Sequence, residues 1–113
     1  MNETPILHIV SRSVWIAAEQ QGRPYKSDTF ETEGFIHCST LEQVVEVANY
    51  LYRGIDGLII LKIDPRKVTS PIRYEDAGNG KLYPHIYGPL DLEAVVGKID
   101  LTPQADGTFA VLG

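Results

Sequence analysis

The stretch Glu33-Gly34-Phe35-Ile36-His37-Cys38-Ser39-Thr40 decides the fold, because it joins a buried strand to a capped helix and sets a histidine at the join. Extended backbone sends successive side chains to opposite faces, so Phe35, His37 and Ser39 share one face while Ile36 and Cys38 share the other. The apolar pair belongs to a core. Thr40-Leu41-Glu42-Gln43 reads as a capping box, the Thr40 hydroxyl accepting from the Gln43 amide and the Gln43 side chain reaching back, so a helix starts here. Its free amides and positive dipole end turn toward the space beside His37, which favours an anionic group such as phosphate.

Working downstream, Leu41, Val44, Val45, Ala48 and Leu51 recur at helical spacing and Gly54 stands where a left-handed C-cap is expected. Gly57 to Ile63 is nearly all apolar and reads as a central strand covered on both faces. Val68 to Tyr74 is a weaker extended segment, and Glu75 to Gly80 is a polar, glycine-rich loop expected to move over a neighbouring cleft. In Leu82 to Leu90 the prolines predict a sheet edge or an ordered turn, with Tyr83, His85 and Tyr87 on one side. Leu92 to Asp100 and Thr108 to Leu112 read as two further strands.

Upstream, Ile6 to Val10 is a short β-branched strand with His8 on the face of Ile6 and Val10. Ser11-Arg12-Ser13 offers an N-cap for a helix from Val14 to Gln21, with Val14, Trp15 and Ala18 along one side and Gly22 at its end. Arg23-Pro24-Tyr25 and the polar run Lys26 to Thr32 read as a surface loop. The sum is an α+β fold: two N-terminal helices packed on a strongly bent, mostly antiparallel β-sheet, in a single domain spanning residues 1–113.

A chain of 113 residues with 43% hydrophobic content fits one core, and no apolar run is long enough to span a bilayer. The first residues lack the basic region and apolar run of a secretory signal, and the single cysteine, Cys38, has no internal disulfide partner; a cytoplasmic protein is expected. A net charge of −5 argues against a broad nucleic-acid surface and disfavours RNA as a partner.

The three histidines, His8, His37 and His85, each fall on or beside an expected strand. Any one alone is as well explained by a half-buried ring satisfied by backbone, but His37 leans toward a site. Cys38 sits next to His37, yet strand neighbours point apart, so inert packing outweighs a thiolate nucleophile. A zinc held by the three histidines lacks clustered ligand spacing, and no metal is expected. Tyr25, Tyr52, Tyr83, Tyr87 and Trp15 could wall a flat ring, though such aromatics more often pack a core. Arg12 and Arg53 could each pair with an anionic ligand, though a solvated surface charge explains each taken singly, and for Glu75 and Asp76 solvated loop carboxylates are the alternative to acid/base work.

Leu7-His8-Ile9, Trp15, residues 33–40, Gln43, Val47-Ala48-Asn49, Tyr52-Arg53-Gly54 and Pro84 to Leu90 together resemble the bacterial domain-of-unknown-function family 952 over about residues 6–100. That family is similar in its core to the ADP-ribosyltransferase-like superfamily, which includes tRNA 2′-phosphotransferases and holds NAD or ADP-ribose in the cleft of a split sheet. The resemblance implies that His8 contacts a ribose hydroxyl, that His37 lies on the nicotinamide side and that His85 stands in the third-motif neighbourhood. It also departs from the pattern: Ile9 replaces the glycine that often follows the first histidine, and Tyr83 to Leu90 contains no carboxylate.

The expected function is therefore a domain binding NAD, ADP-ribose or a related small-molecule nucleotide, acting at a ribose carbon or ribose phosphate as a transferase of ADP-ribosyl or 2′-phosphate groups. His37 and His85 are the expected catalytic residues. His8, Arg12, Ser39, Thr40, Arg53 and Tyr87 are the expected ligand contacts. A non-catalytic nucleotide- or metabolite-sensing module is the alternative.

Overall fold

The computed structural model describes residues 4–76 and 78–110. The fold is α+β, with strands β1 (Ile6–Ser11), β2 (Ile36–His37), β3 (Leu58–Ile63), β4 (Ile72–Asp76), β5 (Leu82–Ile86) and β6 (Val95–Leu101), and helices α1 (Arg12–Gln21), α2 (Phe30–Glu33) and α3 (Leu41–Leu51). The strands form two separate three-stranded antiparallel sheets, ordered β1-β3-β6 and β2-β5-β4.

β3 is the centre of the first sheet and its apolar run is covered on both faces, as its sequence requires. Ile59, Leu61 and Ile63, with Ile6 and Val10 of β1, face Trp15 of α1 and Ile36 and Ile86 of the second sheet. Leu58 and Ile60, with Leu7 and Ile9, face Val44 and Ala48 of α3, and Phe109 closes that layer. Period-two alternation on one strand thus feeds two cores.

Helix α1 starts at Arg12, two residues before the expected start, with extended Ser11 as its N-cap residue. Gly22 ends it at φ 67°, a conformation glycine adopts without a Cβ clash. Trp15 is buried and Ala18 packs beside it, but Val14 turns half to solvent, being a helical step of about 100° from Trp15. A third helix, α2, corrects the reading of Lys26 to Thr32 as loop: Phe30 packs on the first core and anchors one turn, which Gly34 ends at φ 81°. The capping box of α3 forms as expected, the Thr40 amide donating to Gln43 Oε1 at 3.0 Å. The helix ends at Tyr52 rather than Gly54, because Tyr52 turns onto the second core while Gly54 lies beyond, its amide bonded to the Gly107 carbonyl. Leu41 and Leu51, at the two ends of the expected stripe, stay exposed; the sheet covers only the middle turns.

The second sheet corrects three expectations. β5 is its central strand despite Pro84. In antiparallel pairing a residue's N–H and C=O point the same way, and the Pro84 carbonyl accepts the Cys38 amide at 3.0 Å, so the missing donor faces β2. The ladder to β2 stops there, which is why β2 is two residues long and why the chain is free to cross to β1 at Ser39. Second, Glu75 and Asp76 belong to β4, and the hairpin turn after them is tied by Asp76 Oδ1, which accepts from the amides of Gly78 and Gly80 at 2.7 and 3.1 Å. Third, the segment from Val68 becomes strand only at Ile72, after a 3-10 turn at Pro65–Lys67. A similar turn, Leu92–Ala94, precedes β6.

Thr108 to Ala110 form no strand; Phe109 is fixed by side chain instead, its amide donating to Asn49 Oδ1 at 2.7 Å. Residues 111 and 112 of the expected last strand lie outside the described residues. No helix among the described residues is long and apolar enough to cross a membrane. Ile60, wholly buried between β3 and α3, is a sensitive test of this arrangement. Ile60→Ala should lower stability by about 3 kcal/mol in urea unfolding, whereas exposed Leu51→Ala should change it by less than about 1 kcal/mol.

Candidate active site

The site forms where the two sheets meet. Cys38 and Pro84 are a hydrogen-bonded pair, so alternation makes the neighbouring pair, His37 opposite His85, a non-bonded one with its side chains brought close. The two imidazole centroids stand 5.2 Å apart with the rings nearly edge to face. The same alternation turns the His37 carbonyl away from β5 and toward β1, where His8 Nδ1–H donates to it at 2.6 Å. The Tyr25 hydroxyl in turn donates to His8 Nε2 at 3.0 Å. Tyr25 is itself held by paired amide bonds with Leu90. These two bonds fix His8 as the neutral Nδ1–H tautomer, and burial pushes its pKa down to about 4.

Each of the other two imidazoles carries its own carboxylate. Glu33, the last residue of α2, is brought back by left-handed Gly34 so that its Oε1 meets His37 Nε2 at 2.5 Å. Glu75, diagonal to His85 across the β4–β5 ladder, accepts from His85 Nδ1 at 2.8 Å and from the Tyr87 hydroxyl at 2.5 Å. Hydrogen bonding from His37 holds the Glu33 carboxyl below its usual range. The Tyr87 phenol, then His85, does the same for Glu75, while that bond pushes the Tyr87 phenol up. One ring nitrogen of each histidine, Nδ1 of His37 and Nε2 of His85, has no protein partner among the described residues. Phe35 lies flat on His85, centroids 4.1 Å apart, and tilts against His37 and Tyr87.

A cleft of about 800 Å³ opens beside this pair. Leu7, His8 and Ile9 of β1 line one side, Phe35, His37, Ser39, Tyr83 and His85 another, and Val47 and Tyr50 of α3 a third. The hairpin turn contributes Asp76 and Asn79, whose Nδ2 donates to the Tyr83 hydroxyl at 2.9 Å.

Of the residues expected from the sequence, His8, His37, Ser39 and His85 line this cleft. Thr40 is taken up by the capping box, and Tyr87, outside the cleft lining, tilts against Phe35 and is bonded to Glu75. Arg12 points elsewhere, paired with Asp100 of β6 at 2.5 Å, and Arg53 lies beside the turn at Gly107. Cys38 is buried and its thiol is pushed well up by that burial, which leaves no thiolate to attack a substrate. Among the described residues no three histidine, cysteine or carboxylate groups converge to hold a metal. Glu33 is the site residue that sequence reasoning missed, and Glu75 is one it weighed only as a residue of a mobile loop. Glu33 had a local signal, a glutamate four residues before a histidine with glycine between; Glu75 had none, since its meeting with His85 depends on hairpin register.

The His8 clasp has a sign that can be checked. The unfolded chain takes up a proton here near pH 6.5 and the folded one only near 4, so stability is full above about 6.5 and falls as pH drops toward 4, by about 3 kcal/mol. His8→Asn keeps a donor for the His37 carbonyl and removes this titration. Unfolding of the variant between pH 7 and 4 should show a shallower loss than the parent.

Comparison with known proteins places this architecture. The sequence matches, over residues 9–98, the family described as Protein of unknown function (DUF952), and the chain belongs to that family. The crystal structure of protein CC0527 from Caulobacter crescentus is similar, with 36% sequence identity, a TM-score of 0.85, and 95% of this chain and 94% of that chain covered. A double mutant of CC0527 gives a TM-score of 0.84 at the same identity and coverage. The solution NMR structure of CC0527 gives 0.79 with 92% and 90% covered. No curated protein matches the sequence.

Proposed function

We propose that the cleft binds a ribose-bearing ligand of the nucleotide class, NAD and ADP-ribose among them, and that His37 and His85 act on it as an acid/base pair at a ribose carbon or ribose phosphate. The observation that carries this reading is the cross-strand pair of imidazoles, each steadied by its own carboxylate and each keeping one free ring nitrogen. Two imidazoles at this spacing can divide the work of a displacement. With one ring neutral and the other protonated, the first accepts the proton of an attacking hydroxyl or water while the second donates to the departing group. Phe35 fixes the ring planes, and the carboxylates fix which nitrogen is presented.

His8 takes a different part from the ribose contact implied by the resemblance. Both its ring nitrogens are engaged inside the protein, so it lines the cleft without a free nitrogen and sets the His37 peptide in place. The phosphate contacts expected from Arg12 and Arg53 have no counterpart in this reading, because neither residue lines the cleft.

The test is titration of the protein with NAD and with ADP-ribose, followed by histidine NMR signals, and an assay for release of nicotinamide or phosphate. His37→Ala should lower turnover by about a hundredfold or more while changing stability by less than about 1 kcal/mol, because the ring is half exposed. Glu75→Gln should narrow or shift the pH profile of turnover without removing binding. Binding without any release would mark a sensing module, and unchanged affinity and rate in His37→Ala would remove the histidine pair from the function.

A further inference from the structure

We infer that the cleft encloses a nucleoside, a flat base with unphosphorylated ribose hydroxyls, and leaves any phosphate in solvent. This rests on the ribose-binding reading above, keeps of its two reaction centres the ribose carbon alone, and names the part of the ligand the site is built for. The charged side chains lining the cleft are Glu46 and Asp76; no lysine or arginine is among the described lining residues. Glu33 and Glu75 add two carboxylates directly behind the imidazole pair. Two cations from the neighbouring segments already have partners: Lys81 Nζ bonds Oε1 of the lining residue Glu46 at 2.7 Å, and Arg73 stacks 5.1 Å above the Tyr87 ring.

A phosphate brought inside would lose water and meet the carboxylates of Glu46 and Asp76, with an imidazolium but no lysine or arginine among the described lining residues to offset either cost. Hydroxyls meet the opposite circumstances. Asp76 spends Oδ1 on the two turn amides, and its carboxylate together with Ser39 and Asn79 offers acceptors and donors that suit a ribose diol. A carboxylate at such a position accepts from a ribose hydroxyl and repels a phosphate on the same oxygen. Phe35, Tyr50 and Tyr83 supply the apolar, flat surface for a base.

The experiment is a calorimetric and NMR titration of the full chain with adenosine, nicotinamide riboside, their 5′-monophosphates and ADP-ribose, each at about 0.05 and about 0.3 M salt. The nucleosides should bind at least as tightly as their monophosphates, with little change on adding salt, and should shift His37 and His85 signals. Tighter binding of a monophosphate or of ADP-ribose that weakens as salt rises would overturn this inference while leaving the ribose-binding reading standing. No shift at His37 or His85 with any of these probes would overturn both. Glu46→Gln releases Lys81 at the rim and should improve monophosphate affinity about threefold relative to the nucleoside; no gain would count against the electrostatic basis of the selection.

Discussion

The two halves of this protein are held together beside the Leu7–Ser39 bridge by one side-chain hydrogen bond on which the site depends: the imidazole of His8, on the first sheet, donates to the carbonyl of His37, on the second. Alternation turns that carbonyl away from β5, and the early end of the β2 ladder brings β1 beside it. Pro84 has no amide to offer β2, so the ladder ends after two residues and the chain at Ser39 turns to pair with Leu7 instead. The His37 carbonyl, left at the margin of its sheet, needs a donor that backbone does not supply. A buried, neutral histidine supplies it, and Tyr25 fills the second nitrogen so that the ring itself is not left short. The placement of His37, and hence of everything that faces it, follows from this chain of substitutions.

Around that joint, three residues of the same type differ in how their ring nitrogens are bonded. His8 is buried with both nitrogens used, whereas His37 and His85 each hold one nitrogen open. The difference lies in the partners. A carbonyl and a phenol close the first ring; a single carboxylate orients each of the others and leaves half the ring for a ligand. The site is therefore rigid where β1 and β5 hold it and more exposed at the Glu33–His37 pair.

Much of the fold could be read locally. The apolar run of β3, the capping box of α3 and the parity of Ile36 and Cys38 against Phe35 and His37 all depend on near neighbours in sequence, and they appear as expected. What escaped depends on distant partners. Pro84 is tolerated in a central strand only because the strand beside it stops, and nothing in residues 82–90 announces that. Glu75 looks like a loop carboxylate until the hairpin register sets it diagonal to His85. Helix α2 is a single turn, too short for periodicity to reveal, and rests on the packing of Phe30. The three histidines were legible as candidates, but their separate roles were not, since those roles are set by partners from other strands.

Arg12, taken from the sequence as a phosphate contact, has a consequence of another kind. β6 is an outer strand of the first sheet, and a free strand edge is a template for adding another chain. Arg12 reaches Asp100 on that strand, and Glu19 of the same helix reaches Lys98 two residues earlier. The outward positions of β6 thus carry alternating charges already tethered to α1, which a neighbouring strand would have to displace. These two ion pairs sit on the edge strand, where charge opposes the addition of another strand.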